Sequence, residues 1–343
     1  MTPRQEGCGV QTEEHRSWDN PIWTMIAWSV IFLGIGALFL IAASRKTVVI
    51  AEGVKDGKHS AELQAREEIP LTLLSDVQDG KLYVPLPAGS RADQIYVENQ
   101  YLKRELHVHL RDVDPSYYEV HPVYGDLSHT MSSHAYHTGE ELVLILRMDA
   151  VLEYRTVMNG GTLEIEQQIP SEAYQLLVVL DPEEEISYQV ASCVALYLNG
   201  DVRIYLNSMD ENRLGDEEME RFVKDSGADL YLRIGTTQSE DPSEYGISAE
   251  IGTLYFLPEY GNAQLADAIV RGAAISTVNR GRGVTQAPEE SILWKMEIPS
   301  ARVSVGYTSN AKEAELLAME EYRKELSQGI AAGIAEAGTA MRQ

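Results

Sequence analysis

The sequence predicts an α/β protein with a largely parallel sheet flanked by helices, preceded by a β-rich module and one N-terminal transmembrane helix. Three features of the 343 residues lead to this prediction: an uncharged apolar segment near the N-terminus, short alternating runs in the middle, and strand-like runs that alternate with helical ones towards the C-terminus. Strands that alternate with helices favour a parallel sheet, because each helix carries the chain back across the sheet. We expect a short tail, an anchor, the β-rich module and the α/β domain at residues 1–20, 21–44, 47–170 and 176–337.

Composition excludes several classes of function. The chain has 53 Asp and Glu against 28 Lys and Arg, which gives a formal net charge of −25. Nucleic-acid binding needs clustered basic residues, so no nucleic-acid partner is expected. The two cysteines, Cys8 and Cys193, are too few for a disulfide-rich scaffold or a cysteine-based zinc knuckle.

The predicted anchor is the segment 21–44, which contains no charged residue. Its length is enough to cross about 30 Å of hydrocarbon at about 1.5 Å per residue. Trp23 and Trp28 lie near one end, where interfacial aromatic residues are common. Lys and Arg are more frequent after the segment than before it, and this count alone favours a cytoplasmic C-terminal part.

The middle of the chain alternates between apolar and polar residues, as strands do. Runs of this kind occupy 81–86, 94–99, 105–110, 141–146 and 162–166. Asn159-Gly160-Gly161 predicts a turn between two such runs. Short strands at this spacing predict an antiparallel, sandwich-like module. We expect the polar segment between Asp112 and His137 to form a long loop within it.

The pattern changes at Leu176, where a continuous apolar run to Leu180 predicts a buried parallel strand. Further strands are predicted at 202–206, 229–234, 250–257 and 302–305, and helices at 186–198, 217–226, 263–278 and 311–337. The helix that ends near Ser226 is followed by Gly227, a common residue at helix C-termini.

Five motifs within residues 176–335 occur in a familiar order. They lie at 177–182, 205–210, 228–237, 245–256 and 299–310. The third contains Ala228-Asp229-Leu230 and ends in Ile234-Gly235, and the last contains Val303-Ser304. In this order and spacing the motifs resemble those of the zinc-dependent N-acetylmuramoyl-L-alanine amidases, which cut peptidoglycan between the sugar and the stem peptide. The resemblance implies an amidase-like layer fold, a zinc ion that activates water, and a Glu that acts as general base.

The residues of that chemistry are missing from the matching positions. The position of the second zinc-binding His holds Gly235, and the position of the catalytic Glu holds Ser304. Neither residue offers a comparable ligand or base. The resemblance therefore implies a degenerate amidase with no catalytic residue at these two positions.

Three glutamates follow the first strand, where the family has its first His in a glycine-rich loop. They are Glu183, Glu184 and Glu185. One interpretation is that one of them survives as an acidic metal ligand. The other is that they stabilise the positive end of the following helix.

The positions of the eight histidines also argue against zinc in the α/β domain, since none lies after residue 137. We therefore expect no cofactor there. His129, His134 and His137 fall within nine residues and are an alternative metal site in the middle module, although a solvated polar loop is the simpler interpretation. His107 and His109 share one face of a predicted strand.

Three functional hypotheses follow from the resemblance. The first is a membrane-anchored, catalytically inactive amidase-like protein that binds peptidoglycan or an envelope protein and localises or regulates wall hydrolysis. The second is an active peptidoglycan amidase with a non-standard metal site, and the third is a structural component of a division or sporulation complex. The middle module is similar in architecture to AMIN-type domains. The resemblance also favours a single-pass cell-membrane protein with extracytoplasmic C-terminal domains.

Overall fold

The computed structural model of the protein describes residues 68–342 except 76–77, 140, 199 and 253–260. The strands in this part of the chain form three sheets, two of five strands and one of six. The two five-stranded sheets come from the first ten strands, and the six-stranded sheet comes from the strands that follow.

The first ten strands form the β-rich module. They are β1 (Ile69–Pro70), β2 (Leu73–Ser75), β3 (Lys81–Pro85), β4 (Ile95–Gln100), β5 (Glu105–Arg111), β6 (Val123–Gly125), β7 (Thr130–Thr138), β8 (Glu141–Met148), β9 (Glu153–Asn159) and β10 (Thr162–Gln168). One sheet has the order β1-β7-β8-β5-β4 and the other the order β2-β6-β3-β10-β9. All five alternating runs fall on strands, and β9 and β10 pair around the expected turn at Gly160 and Gly161. These two glycines have φ of 56° and 89°, which suits a hairpin turn.

The two sheets of the module share one apolar core. Leu82 and Ile165 contribute from one sheet, and Leu106 and Leu144 contribute from the other. Each of these side chains is completely buried. The arrangement is a sandwich, in which alternate residues of each strand face the partner sheet.

The prediction of a long loop between Asp112 and His137 is wrong. This segment contains a short helix, α1 (Tyr117–Val120), strand β6 and most of β7. Strand β7 pairs with β8 along nearly its whole length, with His134 opposite Ile145. Its sequence shows no alternation of apolar and polar residues, so the pairing with an apolar neighbour determines its structure.

The six-stranded sheet has the order β12-β11-β13-β16-β14-β15. Its strands are β11 (Leu176–Pro182), β12 (Val202–Leu206), β13 (Leu230–Thr237), β14 (Ile247–Ile251), β15 (Gly281–Gln286) and β16 (Ser300–Tyr307). Every pair is parallel except β14 with β16. All seven residues of β11 are buried, as expected for a central parallel strand with an apolar sequence.

Helices cover both faces of this sheet. Beyond α1 they are α2 (Pro170–Ala173), α3 (Glu185–Val194), α4 (Asp216–Asp225), α5 (Asn262–Ser276), α6 (Ala311–Ala318) and α7 (Glu320–Ala340). Val190 of α3, Ile269 of α5 and Ile330 of α7 share a core on one face, and Phe222 of α4 lies in a core on the other. The predicted mixed α/β fold, with a largely parallel sheet flanked by helices, is confirmed.

The β-rich module packs directly against the six-stranded sheet within one unit, Ile50–Gln343. Glu153 Oε1 accepts hydrogen bonds from Arg203 Nε and the Tyr205 hydroxyl, both at 2.8 Å. Glu153 and Arg203 are each only 8% exposed. A buried pair of this kind tolerates little movement, because separation leaves both charges without partners. The boundary predicted between residues 170 and 176 stays a prediction.

The prediction of a single-pass membrane protein is corrected here. The expected anchor, residues 21–44, lies outside the described residues. Within the part that the structure describes, no helix is both long enough and apolar enough to cross a membrane. The predicted membrane location with extracytoplasmic C-terminal domains is therefore withdrawn.

Candidate functional site at the carboxyl ends of the central strands

The candidate site lies where β11, β13 and β16, three neighbouring parallel strands, reach their carboxyl ends. The strand order reverses beside β11, since the chain continues to β12 on one side and then to β13 on the other. Open α/β sheets bind ligands at such an edge. Paired residues of parallel strands project to the same face, so the register brings several polar side chains together here. We call the following residues the carboxyl-end cluster: Asp181, Glu183, Arg233, Gly235, Arg302 and Ser304.

Asp181 is the most buried charged residue of this cluster, with 1% of its surface exposed. Its Oδ2 accepts hydrogen bonds from the Tyr231 hydroxyl and Arg233 Nη2, both at 2.7 Å. Its Oδ1 accepts from Asn207 at 2.8 Å and lies 3.3 Å from Arg213. Burial raises the pKa of the Tyr231 phenol well above its usual value, which keeps that group a donor. The carboxylate is stable inside the protein because its charge and its lone pairs are all engaged.

Glu183 forms a second ion pair, with Arg302. The Arg302 Nε donates to Glu183 Oε1 at 2.8 Å, and Nη2 donates to Oε2 at 2.7 Å. The same Nη2 also donates to the backbone carbonyl of Thr236 at 3.0 Å. The hydrogen bond with Glu183 raises the pKa of the Arg302 guanidinium. This bidentate geometry fixes both side chains across the end of β13.

Gly235 lies directly beneath that pair. A Cβ atom at this position would lie 1.8 Å from Glu183 Oε2 and 3.1 Å from Arg302 Nη2. Real carbon and oxygen atoms do not approach to 1.8 Å, so even Ala does not fit unless Glu183 moves. The space that a side chain at 235 would need is filled by the Glu183 carboxylate.

Ser304 is opposite Gly235 in the strand register and is 1% exposed. Its hydroxyl accepts a hydrogen bond from Thr237 Oγ1 at 2.7 Å and donates to the Gly306 carbonyl at 3.2 Å. A neutral hydroxyl engaged in both directions does not take up a proton from water. Ser304 therefore stabilises the end of β16 and supplies no base.

The three consecutive glutamates have three different environments. Glu183 pairs with Arg302, whereas Glu185 is exposed and accepts from Gln189 at 2.8 Å. Glu184 immediately precedes α3, and its backbone N–H donates to Ser187 Oγ at 3.0 Å. Burial raises the pKa of the Glu184 carboxyl, and the charge of Glu183 raises it further. The three glutamates are the same residue type, but their different environments give them different roles.

The structure does not bring His129, His134 and His137 together. His129 precedes β7 and its Nδ1 lies 2.9 Å from the Asp149 carboxylate. His134 and His137 lie on β7 at positions of opposite parity, so they project to opposite faces.

A different group has the proximity that metal binding needs. Glu98 of β4 and His107 and His109 of β5 each offer a ligand atom, and these atoms lie within 4.8 Å of one another. We call these three residues the histidine cluster. The shared face of the two histidines is visible in the sequence, but Glu98 is not, because its place opposite His107 depends on the strand register.

Residues 179–336 match the sequence model of a family described as N-acetylmuramoyl-L-alanine amidase. This part of the chain is amidase-like. The match confirms the resemblance that the ordered motifs predict, over nearly the same residues. No curated protein gives a match.

Solved structures of amidases are similar to about half of this chain. The catalytic domain of the amidase CwlV from Bacillus (Paenibacillus) polymyxa var. colistinus is 20% identical, with a TM-score of 0.41, and the match covers 47% of this chain and 97% of that one. The amidase AmiC2 of Nostoc punctiforme is 19% identical, with a TM-score of 0.42 and coverage of 48% and 97%. The CwlD amidase from Clostridioides difficile, solved in complex with the GerS lipoprotein, is 17% identical, with a TM-score of 0.38 and coverage of 47% and 98%.

The residues of the carboxyl-end cluster do not fit the zinc ion of an active amidase. The resemblance implies a histidine ligand at the position that holds Gly235, and the adjacent space holds the ion pair of Glu183 with Arg302. The Arg302 guanidinium repels a divalent cation, and its two hydrogen bonds engage the Glu183 carboxylate that such a cation would need as a ligand. No histidine follows residue 137 in the sequence, so the amidase-like segment contains none to replace the missing ligand.

Proposed function

We propose that this amidase-like protein lacks amidase activity and binds peptidoglycan, and that it localises or regulates wall hydrolysis by active enzymes. The observation that carries the loss of activity is the Glu183 carboxylate, which Arg302 holds in the space beside Gly235. Residue 235 has no side chain that could bind zinc, and the space beside it has no room for one.

The chemistry of the site supports the same proposal. Hydrolysis of an amide at neutral pH needs an activated water and a base that accepts its proton. The residue at the position of the base is Ser304, whose hydroxyl is buried and hydrogen-bonded on both sides. The two carboxylates that lie on the same face, Asp181 and Glu183, are held by guanidinium groups.

Peptidoglycan is the ligand we favour, because residues 179–336 match a family that acts on it. The match runs from the first strand of the six-stranded sheet into the last helix. An envelope protein is the competing ligand. The binding experiment below separates the two.

The test of activity uses the purified full chain and isolated peptidoglycan sacculi. We expect that the release of stem peptides equals the buffer blank, both with and without added Zn²⁺. Zinc-dependent release that disappears with a chelator and in a Glu183→Ala variant would overturn the proposal. The variant separates intrinsic activity from a contaminating amidase, which the substitution leaves unchanged.

The test of binding is co-sedimentation of the full chain with insoluble peptidoglycan. We expect the protein in the pellet, and we expect soluble muropeptides to return it to the supernatant. Protein that stays in the supernatant at every peptidoglycan concentration would contradict peptidoglycan binding and would favour a protein ligand.

A further inference from the structure

We propose that the histidine cluster of the β-rich module, Glu98, His107 and His109, binds a divalent transition-metal ion of the zinc class. The proposal concerns a different module from the amidase-like segment and does not depend on the proposed function.

The strand register explains why the three side chains converge. Glu98 of β4 is directly opposite His107 of β5, and His109 follows two residues later on the same face. Directly opposite residues of an antiparallel pair have Cβ atoms about 4.5–5.5 Å apart, and diagonal neighbours are within reach of long side chains. The ligand atoms of the three residues lie within 4.8 Å of one another.

His109 carries the observation that points to a missing ligand. The residue is 9% exposed, and its Nε2 is buried without a hydrogen-bond partner. A buried polar atom without a partner costs free energy, so it calls for an explanation. Nε2 is 3.6 Å from Glu98 Oε2, which is too long for a hydrogen bond. Two ligands of a tetrahedral zinc ion with bonds of about 2.1 Å are roughly 3.4 Å apart, so this gap suits a shared metal.

The outer contacts of both histidines match those of metal ligands. The Nε2 of His107 is 3.0 Å from Glu105 Oε2, and the Nδ1 of His109 is 3.3 Å from Glu141 Oε1. Histidines that bind metals commonly direct the second ring nitrogen at a carboxylate, which fixes the tautomer and orients the ring. If both contacts persist, Nδ1 of His107 and Nε2 of His109 remain for the metal.

The ligand set indicates which metal to expect. Two imidazoles and one carboxylate, without a thiolate, are typical ligands of Zn²⁺, Co²⁺ and Ni²⁺ rather than of Ca²⁺ or Mg²⁺. Three protein ligands leave a fourth position for water or another ligand. Strand β4 is the edge of its sheet, so the metal would join an edge strand to its neighbour. Binding should therefore stabilise the module.

The experiment titrates the metal-free, purified full chain with Co²⁺ and follows its visible absorption, and Zn²⁺ is then added as the competitor. We expect one equivalent of tetrahedral Co²⁺ that Zn²⁺ displaces. We also expect Zn²⁺ at 100 times its Kd to raise Tm by about 5 °C. Glu98→Gln and His109→Gln should each remove this equivalent and the Tm increase.

The matched control is His129→Gln, which changes an exposed histidine that contacts a single carboxylate and should keep the full equivalent. If His109→Gln does not fold, the Glu98→Gln variant alone tests the proposal, because Glu98 is only partly buried and its substitution should be tolerated. Tetrahedral Co²⁺ that persists in folded Glu98→Gln and His109→Gln proteins would overturn the proposal. Absence of any binding by the wild-type chain would also overturn it.

Discussion

The carboxyl-end cluster and the histidine cluster both place charged residues on one face of a sheet, but they pair those charges in different ways. In the carboxyl-end cluster, each of the two buried or half-buried carboxylates meets a guanidinium at 2.7 Å. In the histidine cluster, the carboxylate of Glu98 faces a ring nitrogen of His109 at 3.6 Å, and that nitrogen has no hydrogen-bond partner.

This difference in charge pairing indicates which of the two clusters can still bind a ligand. Guanidinium groups are permanently charged and hold carboxylates with two hydrogen bonds, so the carboxyl-end cluster is closed to a cation. Imidazoles are neutral or charged near physiological pH and offer a lone pair, so the histidine cluster stays open to one. The amidase-like segment thus carries internal ion pairs at the carboxyl ends of its central strands. The predictions below test whether these ion pairs have a structural function.

The largest effect is expected when Asp181 loses its guanidinium partner. In Arg233→Met the buried carboxylate keeps only neutral donors and the longer contact with Arg213, so the free energy of unfolding should fall by about 3 kcal/mol. Urea denaturation measures this change. The control is Arg271→Met, since Arg271 pairs with exposed carboxylates on the surface and should cost less than about 1 kcal/mol. An equal loss of unfolding free energy in the two variants would show that the ion pair of Arg233 with Asp181 stabilises the fold no more than a surface ion pair does.

A smaller but more specific effect is expected at Gly235. The Cβ atom of Gly235→Ala collides with the Glu183 carboxylate and should break its pair with Arg302, at a cost of about 2–3 kcal/mol. In a Glu183→Ala background the collision disappears, so the same substitution should cost less than about 1 kcal/mol. A double-mutant cycle measured by chemical denaturation gives the coupling. Additive losses would mean that Glu183 does not fill the space beside residue 235.

Much of the fold is readable from the sequence. The period of two in residues 105–110 and the continuous apolar run from Leu176 predict strands that the structure contains as β5 and β11. These features are local, because burial on one or both faces leaves a pattern along the chain. Strand β7 was missed because it is held by pairing with β8 and its own residues do not alternate.

The contacts of the candidate site are not readable in the same way. The sequence motifs direct attention to Gly235 and Ser304, and the correspondence of these two positions to a ligand and a base stays a prediction. Glu183 and Arg302 are 119 residues apart in the sequence, and no local sequence pattern predicts that they form an ion pair. The same holds for Glu98, which reaches His107 only because β4 and β5 pair in one particular register. Contacts between residues far apart in the sequence depend on the strand order and register, which local sequence patterns do not reveal.

A moderate effect is expected at Ser304. In Ser304→Ala the half-buried hydroxyl of Thr237 loses its acceptor, and the Gly306 carbonyl loses a donor, so the free energy of unfolding should fall by about 1–2 kcal/mol. Metal content should not change, because the histidine cluster lies in the other module. Thermal unfolding and metal analysis of the same preparation check both points. A variant that is as stable as the wild type but loses metal would contradict the separation of the two clusters.

The smallest effect is expected at Glu184, whose carboxyl has a raised pKa because it is partly buried and lies near the charge of Glu183. A carboxyl with a raised pKa in the folded state stabilises the protein at low pH and loses this contribution as the pH rises through the folded value. At pH 7 the ionised group is therefore unfavourable, and Glu184→Gln should raise Tm by roughly 1–2 °C. Below about pH 3 the wild-type carboxyl is protonated in both states, because the ordinary pKa of Glu is about 4.3, so the gain should vanish. Thermal unfolding at the two pH values measures the difference, and Glu185→Gln, a change at an exposed neighbour, should have no effect at either. A gain that persists at low pH would show that the amide stabilises the site through its own hydrogen bonds, and the electrostatic account of Glu184 would then be wrong.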